Sequence, residues 1–210
     1  MQSRDILKHL SCAVLAAVLA GATAGCNERT GGFGGSFPVV VIETSAGTIQ
    51  VELWPDKAPI TVKNFLQYVD EGFYDSTIFH RCFRGSLIHG GGLTTAWKKK
   101  ATHPPIHNEA SNGLKNVRGT IAMALTPGHP DSATSQFFIN TADNDNLDRG
   151  VDPFGYAVFG QVTDGMGVVD VIGNAPVVGD PRDGRPANPI VIKSIHRLGR
   201  PAKTVAPKAK

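Results

Sequence analysis

Hydrophobic alternation sets in at position 38. Pro38–Glu43 is a β-branched run, and Thr48–Trp54 places Ile49, Val51 and Leu53 on one face, with Ser45-Ala46-Gly47 between them. That pattern predicts a hairpin. Pro55–Pro59 breaks it, and the period then changes. Val62, Phe65, Leu66 and Val69 fall at i, i+3, i+4 and i+7, the stripe of an amphipathic helix opened by Pro59 and stopped by Gly72. Ala58 is a poor N-cap, so this helix is expected to rely on packing more than on its ends. Further strands are expected at Ile78–Cys82, Ser86–Gly90, Arg118–Ala124, Gln136–Thr141, Tyr156–Val162 and Ile190–Arg197. A second helix, Met166–Ile172, turns Met166, Val169 and Ile172 inward. Lys98–Asn112, Leu125–Thr134 and Asp143–Pro153 are polar and rich in turn formers, so they read as surface loops.

Eight strands and two helices in one domain that do not alternate argue against a parallel βαβ sheet. Eight is also the strand count at which a closed barrel has an interior just wide enough for side chains to fill. A mainly β fold follows: a packed barrel with a helix at each mouth, or a sandwich.

The 210 residues suffice for one ordinary domain, and 24 glycines and 14 prolines suit many short strands and turns. A net charge of +3, much of it at the chain ends, argues against a nucleic-acid partner. Residues 1–25 read as a secretory signal: a basic start, an apolar run too short for a comfortable membrane span, and small residues before Cys26. Those small residues resemble a bacterial lipoprotein cleavage box, with Thr23 where leucine is preferred. Lipidation of Cys26, and so a lipid-anchored periplasmic protein, is the expectation. Ala22-Thr23-Ala24 also fits an ordinary signal cleavage site, which would leave a soluble periplasmic or secreted form. Residues 26–37 read as a flexible tether and 199–210 as a basic disordered tail, around a domain at 38–198. Cys82 has no partner cysteine inside that domain, so it is expected to be a small buried hydrophobe.

Candidate chemistry centres on Arg81. It follows Ile78-Phe79, so a strand would fix the root of its planar fork of donors. Alone it could be one more solvated arginine. Alternation at Phe137-Phe138 puts one ring inside the fold and the other outside it. His103 and His107 have helical metal spacing, but Pro104-Pro105 between them forbids that helical turn, so no metal site is expected.

Phe79-His80-Arg81, Gly85, Gly90-Gly91-Gly92, Arg118–Ala124, Asp131–Asn140 and Phe154–Gly160 occur in an order and spacing that resembles the cyclophilins, the peptidyl-prolyl cis-trans isomerases, from about Val39 to Leu198. The resemblance implies a closed eight-stranded antiparallel barrel capped by two α-helices, with a groove on its outer face. It further implies rotation about X–Pro bonds, polypeptide substrates containing proline, no cofactor and a monomer. Carried over by position, Arg81 is the catalytic arginine and Gln136 holds the substrate backbone. Phe138 floors the proline pocket and Leu87 walls it. Ala124 and Leu125 face the peptide, Leu147 lines the pocket, and Tyr156 stands where eukaryotic members have histidine. Ser86, His89 and Asn146 depart from the family's usual phenylalanine, glutamine and large aromatic. His89 stays in the substrate-binding set, and the lost aromatics put catalytic strength in doubt. Isomerase action needs no proton transfer or covalent step, only a donor aimed at the prolyl nitrogen as its lone pair is freed. A binding or chaperone module of weak turnover is the competing expectation.

Overall fold

The first hairpin has the expected pattern: β1 (Val39–Thr44) and β2 (Thr48–Leu53) pair antiparallel, with Val40 opposite Val51 and Ile42 opposite Ile49. Those four side chains are fully buried. Helix α1 (Pro59–Asp70) follows, then β3 (Thr77–Phe83) and β4 (Leu87–Thr94). Next come β5 (Thr120–Met123), β6 (Phe137–Asn140) and β7 (Val158–Asp164). Helix α2 (Met166–Gly173) and β8 (Ile190–Arg197) complete the order. The computed structural model describes residues 37–199. The signal at 1–25, Cys26, nearly all of the tether 26–37 and the tail beyond 199 lie outside the described residues.

All strand pairings are antiparallel and the order β1-β2-β7-β5-β6-β4-β3-β8 closes on itself. The fold is therefore the barrel and not the sandwich. The two helices stand at opposite mouths. A Cβ on Gly47, at the tip of the β1–β2 hairpin, would meet Val168 of α2, whereas α1 shares a pocket with Pro38 and Pro55 at the hairpin's open end. The stripe of α1 plugs its mouth with aromatic contacts: Phe65 meets Phe137 edge-on at 5.6 Å and Phe159 at 5.2 Å.

Strand β4 departs from its expected boundaries by running on through Gly90, Gly91 and Gly92. Cβ atoms there would lie 2.8 Å from a Phe79 ring carbon, 2.8 Å from the Phe137 ring and 2.5 Å from Gln136 Cγ, respectively. Gly91 also has φ of +81°, which L side chains rarely adopt. Glycine reads as a breaker in isolation, yet here it lets one strand pass close beneath its neighbours.

Ala58 gives α1 no side-chain cap, but the helix end does not depend on packing alone. The Glu109 carboxylate accepts from Ile60 N at 3.1 Å, Thr61 N at 2.7 Å and Thr61 Oγ1 at 2.7 Å. A distant acid thus serves the orphan amides and the positive end of the helix dipole. Replacing Glu109 by Ala is expected to cost about 1–2 kcal/mol. Chemical denaturation checks this; an unchanged midpoint would show that packing alone holds the helix end.

Candidate active site

Alternation along β6 splits two neighbouring rings between two environments. Phe137 points into the barrel core. Phe138 points outward yet is only 3% exposed, because it is roofed on the outer face by a second apolar cluster. That cluster contains Ala122 and Val158, with Leu87, Ala124, Leu147, Tyr156, Trp54 and Leu114 packed around them. Tyr156 meets Phe138 edge-on at 5.5 Å. Five residues chosen from sequence, Leu87, Phe138, Ala124, Leu147 and Tyr156, therefore come together. Leu125 lines the adjoining groove but packs against the barrel core instead.

Three strands bring the polar residues alongside. Arg81 on β3 is the cross-strand partner of His89 on β4, and His89 is the partner of Phe138 on β6. Direct partners share a face of the sheet, so a guanidinium, an imidazole and a phenyl ring stand in one row. Arg81 is exposed and makes no hydrogen bond or ion pair among the described residues. Gln136, just before β6, lays its side chain over Gly92. Arg81, His89, Gln136, Ala124 and Leu125 all line a groove of about 620 Å³.

A register shift between Phe79 and Arg81 perturbs the alternation of β3. His80 lines the same groove, and its ring lies 4.5 Å from that of His89. Burial, with Arg81 adding, lowers His80 to about 4. Burial, then His80 and Arg81, lowers His89 to about 3, against a weaker opposing influence of the Gln136 amide. Both rings are neutral at pH 7. His80 Nδ1 and His89 Nε2 are buried without partners.

The departures have distinct surroundings. Ser86 Oγ donates to Asn144 Oδ1 at 3.0 Å, and Asn144 Nδ2 donates back to Ser86 O at 3.0 Å. Asn144 Nδ2 also reaches Asn140 Oδ1 at 2.8 Å, whose own Nδ2 donates to Thr120 Oγ1 at 2.8 Å. Ser86 is thus one end of a largely buried polar network behind the apolar cluster. The network escaped sequence reasoning, although the recurrence of asparagine at 116, 140 and 144 was its visible trace. Asn146 is exposed on the short 3₁₀ turn Asp145–Leu147, leaving Leu147 as that turn's apolar contribution.

Among the described residues no group of three or more His, Cys, Asp or Glu side chains could hold a metal ion. His103 pairs with Glu71 at 2.8 Å and His107 with Asp131 at 3.0 Å. Cys82 is buried, and burial pushes its thiol up to about 12, as befits a packing residue.

A closed antiparallel barrel with two helical plugs, carrying on its outer face an apolar cluster and, in the adjoining groove, an arginine without a partner among the described residues, defines a small class of proteins. The family described as cyclophilin type peptidyl-prolyl cis-trans isomerase matches residues 39–197. Peptidyl-prolyl cis-trans isomerase A of Dickeya dadantii is 55% identical over 157 residues, 74% of this chain and 82% of that protein. Peptidyl-prolyl cis-trans isomerase B of Escherichia coli is 55% identical over 137 residues, 64% of this chain and 83% of that protein. A crystal structure of a Cryptosporidium parvum cyclophilin type peptidyl-prolyl cis-trans isomerase, in the presence of the dipeptide Ala-Pro, superposes with a TM-score of 0.63 at 29% identity, covering 75% of this chain and 97% of that one. The chain belongs to the cyclophilin family.

The histidine pair gives stability a sign with pH. Both folded values lie below the ordinary 6.5, so the unfolded chain binds more protons once the pH drops below that value. The stabilisation is complete above about 6.5 and is lost as pH falls toward 4 and then 3. Each ring contributes a slope of about 1.4 kcal/mol per pH unit in that window. His89→Gln is expected to make the fall shallower by about that slope in urea unfolding at pH 6.5, 5.5 and 4.5. Parallel curves for the two proteins would contradict the burial of a neutral ring.

Proposed function

We propose that the chain catalyses rotation about X–Pro bonds, with Arg81 as the catalytic group and the Phe138 cluster as the seat of the proline ring. The observation that carries this is the row Arg81–His89–Phe138 across three strands, with the arginine left unpaired. Amide resonance sets a barrier of roughly 18–20 kcal/mol. At its top the prolyl nitrogen regains a lone pair that is absent from the planar amide. A donor reaching from Arg81 therefore bonds the twisted state and finds little to bond in either flat one. A charged hydrogen bond contributes about 1.5–3 kcal/mol, or roughly ten- to a hundredfold. The rest must come from fixing the ring against Phe138, Leu87, Leu147 and Tyr156 while the Gln136 amide holds a substrate carbonyl and the preceding residue swings. The relatives named as isomerases support this reading.

A second reading, a proline-peptide binding module with little turnover, is favoured by the polar Ser86 and exposed Asn146 where large rings would wall the notch. One assay separates the two. Arg81→Ala is expected to lower kcat/KM on a short Ala-Pro peptide roughly ten- to a hundredfold without shifting the unfolding midpoint. Equal rates would remove Arg81 from its role. No rate above background in the unaltered protein would favour binding alone.

The reading extends to location. The basic start, the apolar run and the small residues before Cys26 support export and a lipid on that cysteine, so that folding assistance is given in the bacterial envelope. Cys26→Ser is expected to abolish incorporation of labelled palmitate and release the protein from the membrane fraction. Unchanged fractionation of that variant would instead support the ordinary cleavage site.

A further inference from the structure

The groove runs on past Gln136, and the bond rotation as argued uses only its first part. Its far part is built by the chain as it returns along β4. Thr94 N donates to Lys98 O at 2.9 Å, Trp97 N to Thr94 O at 2.8 Å and Lys100 N to Gly92 O at 3.1 Å, while Leu93 and Lys99 pair as an isolated bridge. The root of Lys99 is thereby tied to the strand segment over which Gln136 lies. Neighbouring lysines are used differently. Lys100 is half-buried, with Nζ donating to Phe73 O and standing 4.5 Å over the Phe73 ring. Lys99 lines the groove with Thr102 and Thr134 and makes no hydrogen bond or ion pair among the described residues.

Among the described residues no carboxylate lines this groove. Asp131, beside the wall residue Ser132, is already engaged by Asn108 N at 2.9 Å and His107 Nδ1 at 3.0 Å. His80 and His89 are neutral at pH 7, so the wall presents two cations, Arg81 and Lys99, and no anion. The residue before a bound proline is joined to the nitrogen that Arg81 addresses. That residue must leave the notch past Arg81 and Gln136, and the chain ahead of it enters the far groove.

We infer that Lys99 makes the groove selective for polypeptides bearing Asp or Glu one or two residues ahead of the proline; this rests on the isomerase reading of the notch. The carboxylate accepts from Lys99 Nζ, and the Thr102 and Thr134 hydroxyls are available as further donors. Lys99 is solvated at the groove's rim, so the preference is that of a surface ion pair, roughly two- to fivefold, and fades with salt.

The test uses three peptides that differ only in Glu, Gln or Lys at the second residue before a single proline, with kcat/KM and calorimetric affinity both measured. The unaltered chain is expected to prefer Glu over Gln by roughly two- to fivefold at low salt. Lys99→Ala should level that preference, and Lys99→Glu should turn it toward the Lys peptide, each read as the ratio between peptides for the same protein. A chain that does not distinguish Glu from Gln, or a preference that survives Lys99→Glu, overturns the inference. Affinities read the preference even where no peptide is turned over, so absence of turnover defeats the isomerase reading alone.

Discussion

Everything at the site depends on how closely β4, lying between β3 and β6, can approach the side chains carried beside it. Closing a barrel of eight strands forces neighbouring backbones and inward side chains into a fixed volume. At Gly90 and Gly91 that volume is already taken by the Phe79, Phe137 and Tyr74 rings, and at Gly92 by the Gln136 side chain. Any Cβ in this run would push a core ring or the glutamine outward. The same three residues therefore close the interior and set the spacing of Arg81, His89, Gln136 and Phe138 on the exterior. Interior packing is dense and resists deformation, so the outer row inherits a rigid base.

The barrel wall then acts as a two-sided surface. Phe137 and Phe138 are adjacent in sequence and lie in separate apolar clusters. The outer cluster is an expense for a free-standing fold, since it needs covering by Tyr156, Leu147 and Trp54. Those covering residues come from a loop, a 3₁₀ turn and the position just after β2, and Leu147 and Tyr156 are held from behind by Asn116, which joins Asn140 and Asn144 in one hydrogen-bonded network. Satisfied polar networks of this kind fix position at little cost, whereas half-satisfied ones are destabilising. The outer cluster is thus shaped by polar scaffolding on one side and core packing on the other.

What could be read from the sequence was what local period determines. The hairpin at 39–53, the stripe of α1, the split of Phe137 from Phe138 and the strand beneath Arg81 all follow from alternation or from a period of 3.6. What escaped depends on partners distant along the chain. The cap on α1 comes from Glu109, 48 residues beyond Thr61. The length of β4 depends on rings contributed by β3 and β6, so glycine, a breaker by local rule, became a strand former by tertiary need. His80 comes to lie beside His89 where the register of β3 is irregular, which no periodicity announces.

Three arginines of the described surface are held by carboxylates, and Arg81 is not among them. Arg118 is bound in a fork to Asp170, Arg182 to Asp180 and Arg197 to Asp70. Arg81 has no such partner among the described residues, and the two histidines beside it, His80 and His89, are held neutral by burial. A carboxylate beside Arg81 would occupy the donors that the proposed function leaves for a twisted amide, and would bond them equally well at every stage of the rotation. Water fills those donors while the groove is open, so leaving the arginine unpaired costs little when it is exposed. In the proposed function a bound peptide would displace that water, lower the local dielectric and strengthen the one bond that appears only as the amide twists. In the role proposed for Arg81, the absence of a partner among the described residues is what would let a surface arginine, unremarkable in isolation, discriminate between two geometries of a substrate.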